Sequence, residues 1–420
     1  MKPIQHALFG TFLVCALAGA VFSGFSARDS IAHLDRQIHA VTCSYVPGLE
    51  SDATGQSGCY HVMMSPYSSV LRDATWGGIP IAVPSLSVFA FLLFLGLDAW
   101  RRGFGREPWR MWFLAAAALL PAAVSVIYWV ISVAWVGTLC KNCLGIYAAS
   151  FGALAAAAGL LWLSRRSSAE RGDEAGRGAG MPWRWWGLSF AEGVLFVSLP
   201  IAVFAMQKPA YTDEMAACGS LLQPQDKYGI QLPVHRNPAG IPAVELTDPL
   251  CPACRAFRDR LRAGGLEQRL DLKVVLFPLD SSCNWMVNET IHPGACKVAE
   301  AVVCAGERAR AVLDWTLDNQ DELRRLATES ASALDVRLAA AFPELAGCLG
   351  TPSARSKINK SLRWIVANSA RVTTPQLFVG GRRLCDEDTD LGLEFALGRL
   401  LDAMGEGPTP AAESATGGGR

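Results

Sequence analysis

The chain has 420 residues, of which 51% are hydrophobic and only 18% are charged, and its mean hydropathy is +0.24. This composition indicates a membrane protein that carries a soluble part, and the length permits two or three domains. Basic and acidic residues number 38 each, so the formal net charge is zero. A nucleic-acid-binding protein is therefore not expected, because that partner calls for a basic surface.

Five apolar runs are each long enough to cross a bilayer as a helix, which takes about 20 residues. Arginines cluster between the second and third runs and between the fourth and fifth, and loops of this kind stay in the cytoplasm. The segment after the first run, the turn before the fourth and everything after the fifth are therefore expected on the opposite side. The first run also resembles a cleaved signal peptide, which would leave this arrangement unchanged. The runs cover residues 7–25, 79–100, 109–135, 139–163 and 185–206.

Residues 138–147 read TLCKNCLGIY at the outer end of the fourth run. Cys140 and Cys143 are three residues apart, so on a helix they share one face. They can close a disulfide there and also present a sulfur to a ligand in the membrane. Such a pair suits a lipid-soluble electron acceptor, and two packed core cysteines are the structural alternative.

The soluble part, residues 208–406, alternates strand and helix patterns. The order of the elements is typical of a thioredoxin-type α/β domain. A strand is followed by a helix that begins with two cysteines, then by a helical block, and then by a Thr-Pro step before a last strand. The expected elements are a strand at 241–247, a helix at 257–266, a strand at 272–279, several helices within 297–367, a strand and turn at 374–381 and a closing helix at 391–401.

The motif CPAC follows the first of these strands directly and opens a helix. This places the sulfur of Cys251 over the positive end of the helix dipole, which favours its reactive thiolate. Cys254, one turn inward, is then placed to resolve a mixed disulfide on Cys251. A zinc site is the alternative, but no second CxxC or closely spaced histidine pair accompanies the motif, so we expect no metal.

The soluble part resembles the thioredoxin superfamily, in particular DsbA-like proteins. CPAC, the helical block and the segment VTTPQLFVGG carry the resemblance, which covers nearly all of residues 208–406. It implies that Pro375 is the cis-proline that supports the active site in that family.

Residues 7–164 resemble the vitamin K epoxide reductase family. Cys140 and Cys143 match its helix-borne CxxC, and Tyr147 matches an aromatic hydroxyl one turn further on. In the first outer loop, Cys43 and Cys59 correspond to the pair that shuttles electrons inward. The stretch CYHVMMSPYSSV places Ser65 where the family keeps a serine near the quinone, and GGIP resembles the family's entry into the next helix. The resemblance thus implies Ser65 and Tyr147 as quinone-binding residues.

Six further cysteines in the soluble part suggest structural disulfides, because an exocytoplasmic compartment is oxidising. Fifteen pairings are possible, and the sequence does not choose among them. Cys283 and Cys296 are expected to clip a loop that carries Asn284 and His292, with a second redox pair as the alternative. The six are Cys218, Cys283, Cys296, Cys304, Cys348 and Cys385.

The expected architecture is a membrane α-helical bundle, with a four-helix redox core and a fifth transmembrane helix, followed by an α/β thioredoxin-like domain with a helical insertion. The domains are predicted at residues 1–164 and 208–406. Residues 165–207 hold a cytoplasmic linker and the fifth helix, and residues 407–420 form a disordered tail. The predicted location is a bacterial inner membrane, with the thioredoxin-like domain on the periplasmic side.

The predicted function is disulfide formation in exported proteins, coupled to a membrane quinone of the ubiquinone or menaquinone type. Electrons would pass from reduced exported proteins to CPAC, to the loop cysteines, to the membrane CxxC and on to the quinone pool. The same motifs also allow a reductase or isomerase that runs in the opposite direction, since potentials of related CxxC proteins span roughly 150 mV. A membrane-tethered metal-binding or thiol-chaperone protein is the alternative without turnover.

Overall fold

The computed structural model describes residues 3–35, 39–46, 49–52, 57–102, 108–170, 183–207 and 218–405. The chain divides into two compact units. Unit 1 comprises Met1–Leu71 and Gly77–Pro209, and unit 2 comprises Arg72–Trp76 and Ala210–Arg420. The predicted tail and most of the predicted linker lie outside the described residues.

Unit 1 is a bundle of long apolar helices. Five helical segments of the described chain are long and apolar enough to cross a membrane, with mean hydropathies of 1.8 to 2.2, which confirms the five predicted runs. A short helix and two small hairpins lie between the first and second of these segments. The helices are α1 (Pro3–Ala32), α2 (Gly58–Met64), α3 (Ala82–Arg102), α4 (Pro108–Ile131), a π-helical turn (Ser132–Val136), α5 (Lys141–Glu170) and α6 (Trp183–Gln207).

The centre of unit 1 is the packing of α1 against α3 and α5, with α4 on α5 and α6 on α3. Small residues make these contacts close, as is usual between membrane helices. A Cβ on Gly19 of α1 would lie 2.3 Å from the ring of Phe89 on α3, and one on Gly145 of α5 would lie 2.6 Å from the ring of Phe22. Glycine therefore lets two large rings fill the space between the backbones.

Two antiparallel hairpins flank α2 in the loop between α1 and α3. The strands β1 (Val41–Thr42) and β2 (Ser51–Asp52) form the first hairpin, and β3 (Ser69–Val70) and β4 (Ile79–Pro80) form the second. A further 3₁₀ turn, His33–Asp35, follows α1. These short elements position the loop cysteines.

Unit 2 is built on a five-stranded mixed sheet with the order β5-β7-β6-β8-β9. The two central strands, β6 and β7, are parallel, whereas β5, β8 and β9 pair antiparallel with their neighbours. Both central strands are buried on both faces over their last three residues, whereas their earlier residues include partly exposed positions. The strands are β5 (Leu232–His235), β6 (Ile241–Thr247), β7 (Leu270–Leu276), β8 (Gln376–Val379) and β9 (Arg382–Arg383).

Helices cover the sheet and supply the helical block expected between β7 and β8. The parallel β6 and β7 with a helix between them, followed by the antiparallel β8, β9 and a closing helix, form a thioredoxin-like fold. The helices are α7 (Pro252–Ala263), α8 (Ala295–Ala305), α9 (Ala309–Asp318), α10 (Gln320–Glu329), α11 (Ala331–Ala341), α12 (Pro352–Ala367) and α13 (Leu393–Gly405), with 3₁₀ turns at Glu267–Arg269, Gly306–Arg308, Pro343–Leu345 and Asp386–Asp388.

Several element boundaries differ from the expected ones. The helix after CPAC begins at Pro252 rather than at 257, because proline is well tolerated in the first turn of a helix. The edge strand β5 was not predicted, since its four residues include a proline. Helix α5 runs on to Glu170, into the stretch expected to be linker, because alanine, serine and arginine there do not interrupt a helix.

Candidate redox sites

The loop cysteines of unit 1 form a disulfide. Cys43 follows β1, and Cys59 is the second residue of α2, 16 positions later. The start of α2 is capped by Ser57, whose hydroxyl accepts a hydrogen bond of 3.2 Å from the backbone N–H of Tyr60. Both sulfurs are buried in unit 1, so the bond lies inside the bundle rather than on an open loop.

The residue before Cys59 lies directly against the residue before Cys140. A Cβ on Gly58 would lie 2.3 Å from the backbone oxygen of Leu139, closer than any real side chain approaches. Only glycine permits this contact, and it brings the start of α2 next to the start of α5. The loop disulfide and the membrane CxxC are thereby held as neighbours.

Cys140 and Cys143 lie at the first turn of α5, and neither is disulfide-bonded. The backbone N–H of Cys143 donates a hydrogen bond of 3.2 Å to the Cys140 sulfur. A free N–H group at a helix start favours a negatively charged sulfur there. Gly137, with φ +73°, makes the left-handed turn that ends the π-helical segment and directs the chain into this site.

Two polar side chains fix the backbone on either side of Cys43. Asn142, inside the CKNC motif, donates a hydrogen bond of 2.7 Å to the Thr42 carbonyl and accepts one of 3.4 Å from the N–H of Ser44. Asp29 accepts hydrogen bonds from the backbone N–H and the hydroxyl of Thr42, at 2.7 and 3.3 Å. Neither residue was predicted from the sequence. Two features of the sequence could have indicated them. Asn142 is an amide between two reactive cysteines, and Asp29 is a carboxylate near the end of an apolar helix.

A cavity of about 470 Å³ opens beside the two dithiols of unit 1. Cys59, Cys140 and Cys143 line it, together with both predicted quinone-binding residues, Ser65 and Tyr147. Its other walls are largely apolar side chains of α3 and α4. A cavity of this size, with largely apolar walls and hydroxyl groups distributed among them, can hold a small apolar ligand with polar substituents.

The hydroxyl groups in this cavity differ in what they offer a ligand. Ser65 ends α2, and its hydroxyl donates a hydrogen bond of 2.7 Å to the Val62 carbonyl. Further hydroxyls that were not predicted also line the cavity, among them those of Tyr128, Ser125 and Ser150. Ser125 donates to Ser150 at 3.0 Å, which joins α4 to α5 at the wall. Spacing alone gives no signal for these residues, because they lie inside apolar runs.

In unit 2, CPAC lies where β6 passes into α7. Cys251 is the N-cap residue of α7, and Cys254 faces inward in its first turn; both are buried and not disulfide-bonded. The Thr374–Pro375 peptide bond is cis, and the Thr374 carbonyl lies 3.6 Å from the Cys251 sulfur. Pro375 thus adjoins the motif. On the other side, the Gln320 amide donates to the Cys251 carbonyl at 3.0 Å.

The two sulfurs of CPAC differ strongly in acidity. The hydrogen bond from Cys254, opposed by burial and helped by the charge of His292, lowers the pKa of Cys251 to about 6. Burial and the hydrogen bond to Cys251 raise the pKa of Cys254 well above its usual range. These pKa shifts favour a reactive thiolate on Cys251 and a protonated thiol on Cys254.

A buried ion pair lies beneath the motif. Glu245 of β6 accepts a hydrogen bond of 3.1 Å from Arg258 of α7, and both side chains are almost fully buried. Burial raises the pKa of Glu245, although the Arg258 charge opposes the shift. The negative charge of Glu245 also contributes to the raised pKa of Cys254. This carboxylate is thus placed to influence the proton of the resolving thiol.

The six remaining cysteines of unit 2 form three disulfides: Cys218–Cys385, Cys283–Cys296 and Cys304–Cys348. The structure thereby selects one of the fifteen possible pairings. It includes the expected clip between positions 283 and 296.

The vitamin K epoxide reductase family model matches residues 11–158. No curated protein matches the chain. Among solved structures, oxidoreductase DsbA from Xylella fastidiosa is 20% identical, with a TM-score of 0.30 over 41% of this chain and 92% of that one. Two structures of ScsC from Proteus mirabilis are 16% and 18% identical, with TM-scores of 0.28 and 0.27, over 42% of this chain and 75% and 76% of theirs.

The family match spans the loop disulfide, the membrane CxxC and the cavity beside them. In unit 2, the strand order and the position of CPAC at the start of the helix after β6 are those of a thioredoxin-like fold. Residues 11–158 therefore form a domain of the vitamin K epoxide reductase family, and this chain joins that domain to a thioredoxin-like domain.

Proposed function

We propose that this protein is a quinone-linked thiol oxidoreductase that promotes disulfide formation in exported proteins. The observation that carries the proposal is the arrangement in unit 1, where a closed loop disulfide and an open CxxC pair line one apolar cavity. An acceptor in that cavity would lie beside the CxxC sulfurs. We further propose a bacterial inner membrane as the location, the periplasm as the side that CPAC faces, and the domain boundaries given above.

The first step is exchange at the oxidised form of CPAC. A substrate thiolate bonds to the Cys251 sulfur, the Cys251–Cys254 bond breaks, and Cys254 takes up a proton. A second substrate thiolate then attacks the substrate sulfur of the mixed disulfide, and Cys251 leaves as a thiolate. The substrate loses two electrons and two protons. CPAC receives both electrons and one proton, which Cys254 holds, and the solvent receives the other proton. The low pKa of Cys251 makes it a good leaving group and favours this direction.

The next two steps repeat the same exchange. Cys251 opens the Cys43–Cys59 disulfide, Cys254 resolves the mixed disulfide, and the reduced loop pair then reduces the Cys140–Cys143 disulfide. The contact between Gly58 and Leu139 supports the last transfer, since it holds the two pairs together. Covalent linkage of the two units keeps the donor near its acceptor at an effective concentration of around millimolar.

The final acceptor is proposed to be a quinone of the ubiquinone or menaquinone type. A quinone supplies an acceptor for two electrons and two protons. Cys143 would deliver the electrons, and Ser65 and Tyr147 would bind the quinone, with the hydroxyl of Tyr128 as a further contact; all four residues line the cavity.

The test uses the purified full-length chain in lipid vesicles, a reduced protein substrate and a soluble quinone. Quinol should form at the rate at which substrate thiols disappear, and Cys143→Ala should abolish it. The matched control is Cys15→Ala, which removes an unpaired cysteine of α1 outside the cavity and should leave turnover intact. Equal quinol formation in Cys143→Ala and the unchanged chain would remove the proposed terminal site. A strongly reducing potential at CPAC would favour the reverse direction.

A further inference from the structure

CPAC has no charged residue between its cysteines, yet a histidine from a distant loop belongs to its surroundings. His292 lies between β7 and α8, about forty positions after the motif, and only 7% of it is exposed. Its Nδ1 lies 2.8 Å from the Oδ2 of Asp248, which is itself fully buried. A histidine paired with a buried carboxylate retains a positive charge more readily than a free one.

Asp248 connects this histidine to the backbone of the motif. Its carbonyl accepts a hydrogen bond of 3.1 Å from the N–H of Cys251, and its Oδ1 accepts one of 2.8 Å from Leu250. Its Oδ2 also accepts one of 2.7 Å from the backbone N–H of Leu279, in the segment that follows β7. One carboxylate therefore fixes the turn into CPAC and the imidazole beside it.

The loop that carries His292 is held at both ends. The N–H of His292 donates to the Leu279 carbonyl at 3.1 Å, which anchors the residue to the segment that follows β7. The Cys283–Cys296 disulfide closes the loop, and Asp280 accepts hydrogen bonds from Gly294 and Cys296 at 3.0 and 3.4 Å. These contacts fix the loop between β7 and α8 and therefore the position of the His292 imidazole.

We propose that His292, held by Asp248 on the loop that the Cys283–Cys296 disulfide closes, is a positioning residue that stabilises the Cys251 thiolate. In the exchange that releases oxidised substrate, the bond between substrate sulfur and Cys251 breaks and its electron pair stays on Cys251. The imidazolium offsets the negative charge that forms there. This proposal rests on the proposed exchange at CPAC and adds the residue that makes Cys251 a good leaving group.

The charges facing His292 agree with this role. Burial opposes a protonated imidazole, but the hydrogen bond and charge of Asp248, with a further contribution from Cys251, raise the pKa of His292, while Arg324 opposes the shift. In turn, His292 lowers and Asp248 raises the pKa of Cys251. Without His292, the Asp248 carboxylate would remain as the uncompensated charge near the nucleophile.

The experiment compares three variants in the full-length reduced chain. His292→Asn keeps an N–H donor at the position of Nδ1 but removes the charge, His292→Arg restores a cation, and His235→Asn is the matched control on β5, where the imidazole contacts Arg310 instead. The pH dependence of Cys251 alkylation is followed on the peptide that contains it, together with the equilibrium constant of CPAC with glutathione. Peptide mapping confirms that the Cys283–Cys296 disulfide is intact in every variant.

In His292→Asn, the pH midpoint of alkylation should rise by about one unit and the equilibrium constant for oxidising glutathione should fall about tenfold. His292→Arg should recover most of both changes, and His235→Asn should show neither. An unchanged midpoint in His292→Asn, or a shift that His292→Arg does not reverse, would overturn the proposal. The titration needs no quinone, so a negative result for His292 would leave the proposed function unaffected. Conversely, absence of quinol formation in the unchanged chain would not change the result of the titration.

Discussion

The amide of Asn142 donates a hydrogen bond of 2.7 Å to the carbonyl of Thr42, one hundred residues earlier in the chain. The bond ties the first turn of the CxxC helix to β1, the strand that directly precedes Cys43. The position of the loop disulfide relative to the membrane pair therefore depends on a residue between the two reactive cysteines.

Asn142→Leu should uncouple the two dithiols. It leaves the Thr42 carbonyl and the Ser44 N–H without these partners in a buried place, at a cost of about 1–3 kcal/mol in the free energy of unfolding. Thermal unfolding and the rate of quinol formation in one turnover measure the two effects. Lys141→Met, the matched control, breaks an exposed ion pair between the same helix and the same loop and should cost under about 1 kcal/mol. Equal losses in both variants would contradict this assignment.

Gly58→Ala should impair electron transfer from the loop pair more than it impairs folding. The added methyl group would clash with the Leu139 carbonyl, so α2 must shift, at about 1–3 kcal/mol. Trapping of the mixed disulfide between loop and CxxC cysteines measures the transfer directly. Gly10→Ala, in open space on α1, is the control and should behave like the unchanged chain. Normal trapping in Gly58→Ala would show that the contact is dispensable.

Alkylation of Cys251 should be half-maximal near pH 6, because the thiolate is the reactive form and the pKa of Cys251 is lowered to about 6 from 9.0. The lowered pKa also contributes stability to the reduced chain. That contribution is complete above about pH 9, and it is lost as the pH falls through 6. Alkylation rates and thermal unfolding of reduced chain across this window check both expectations. A midpoint above pH 8 would contradict them.

Glu245→Gln should destabilise unit 2 by about 3 kcal/mol, since it leaves Arg258 short of one buried counter-charge. It should also lower the pKa of Cys254, because the nearby negative charge is removed. Thermal unfolding and alkylation of Cys254 measure the two effects. Glu322→Gln, which breaks an ion pair with Arg337 at the surface, is the control with little expected loss.

Replacing both Cys304 and Cys348 by alanine should lower the free energy of unfolding by about 4 kcal/mol, because the disulfide closes a loop of 44 residues in the unfolded chain. Turnover well below the unfolding temperature should stay normal. The corresponding loss for Cys283–Cys296, whose separation is 13, should be about 3 kcal/mol. Loss of turnover in the folded Cys304/Cys348 variant would assign that disulfide a redox role.

The sequence revealed most of the fold, for local reasons. The five membrane helices follow from uninterrupted apolar runs, and β6 and β7 follow from short stretches rich in β-branched and apolar residues whose last three positions are buried. Helix α2 and the hairpins around it carry no such pattern, because each has only two to seven residues and depends on packing within unit 1.

The candidate sites divide in the same way. The spacing of the cysteines predicted the two CxxC motifs, because two cysteines three residues apart lie on the same turn of a helix. Asn142, Asp29 and His292 act across 13 to 100 positions of sequence or from another element, and that proximity exists only in the folded chain. The pairing of the six structural cysteines was open for the same reason, because any two can meet once the helices pack.

The hydroxyl of Ser65 has one proton, and the Val62 carbonyl already receives it. The hydroxyl oxygen of Ser65 can therefore only accept a further hydrogen bond. It can accept one from a hydroxyl group but cannot donate one to a carbonyl oxygen. For the proposed quinone ligand, Ser65 would accept a hydrogen bond from the hydroxyl of the reduced form and would offer none to the carbonyl of the oxidised form.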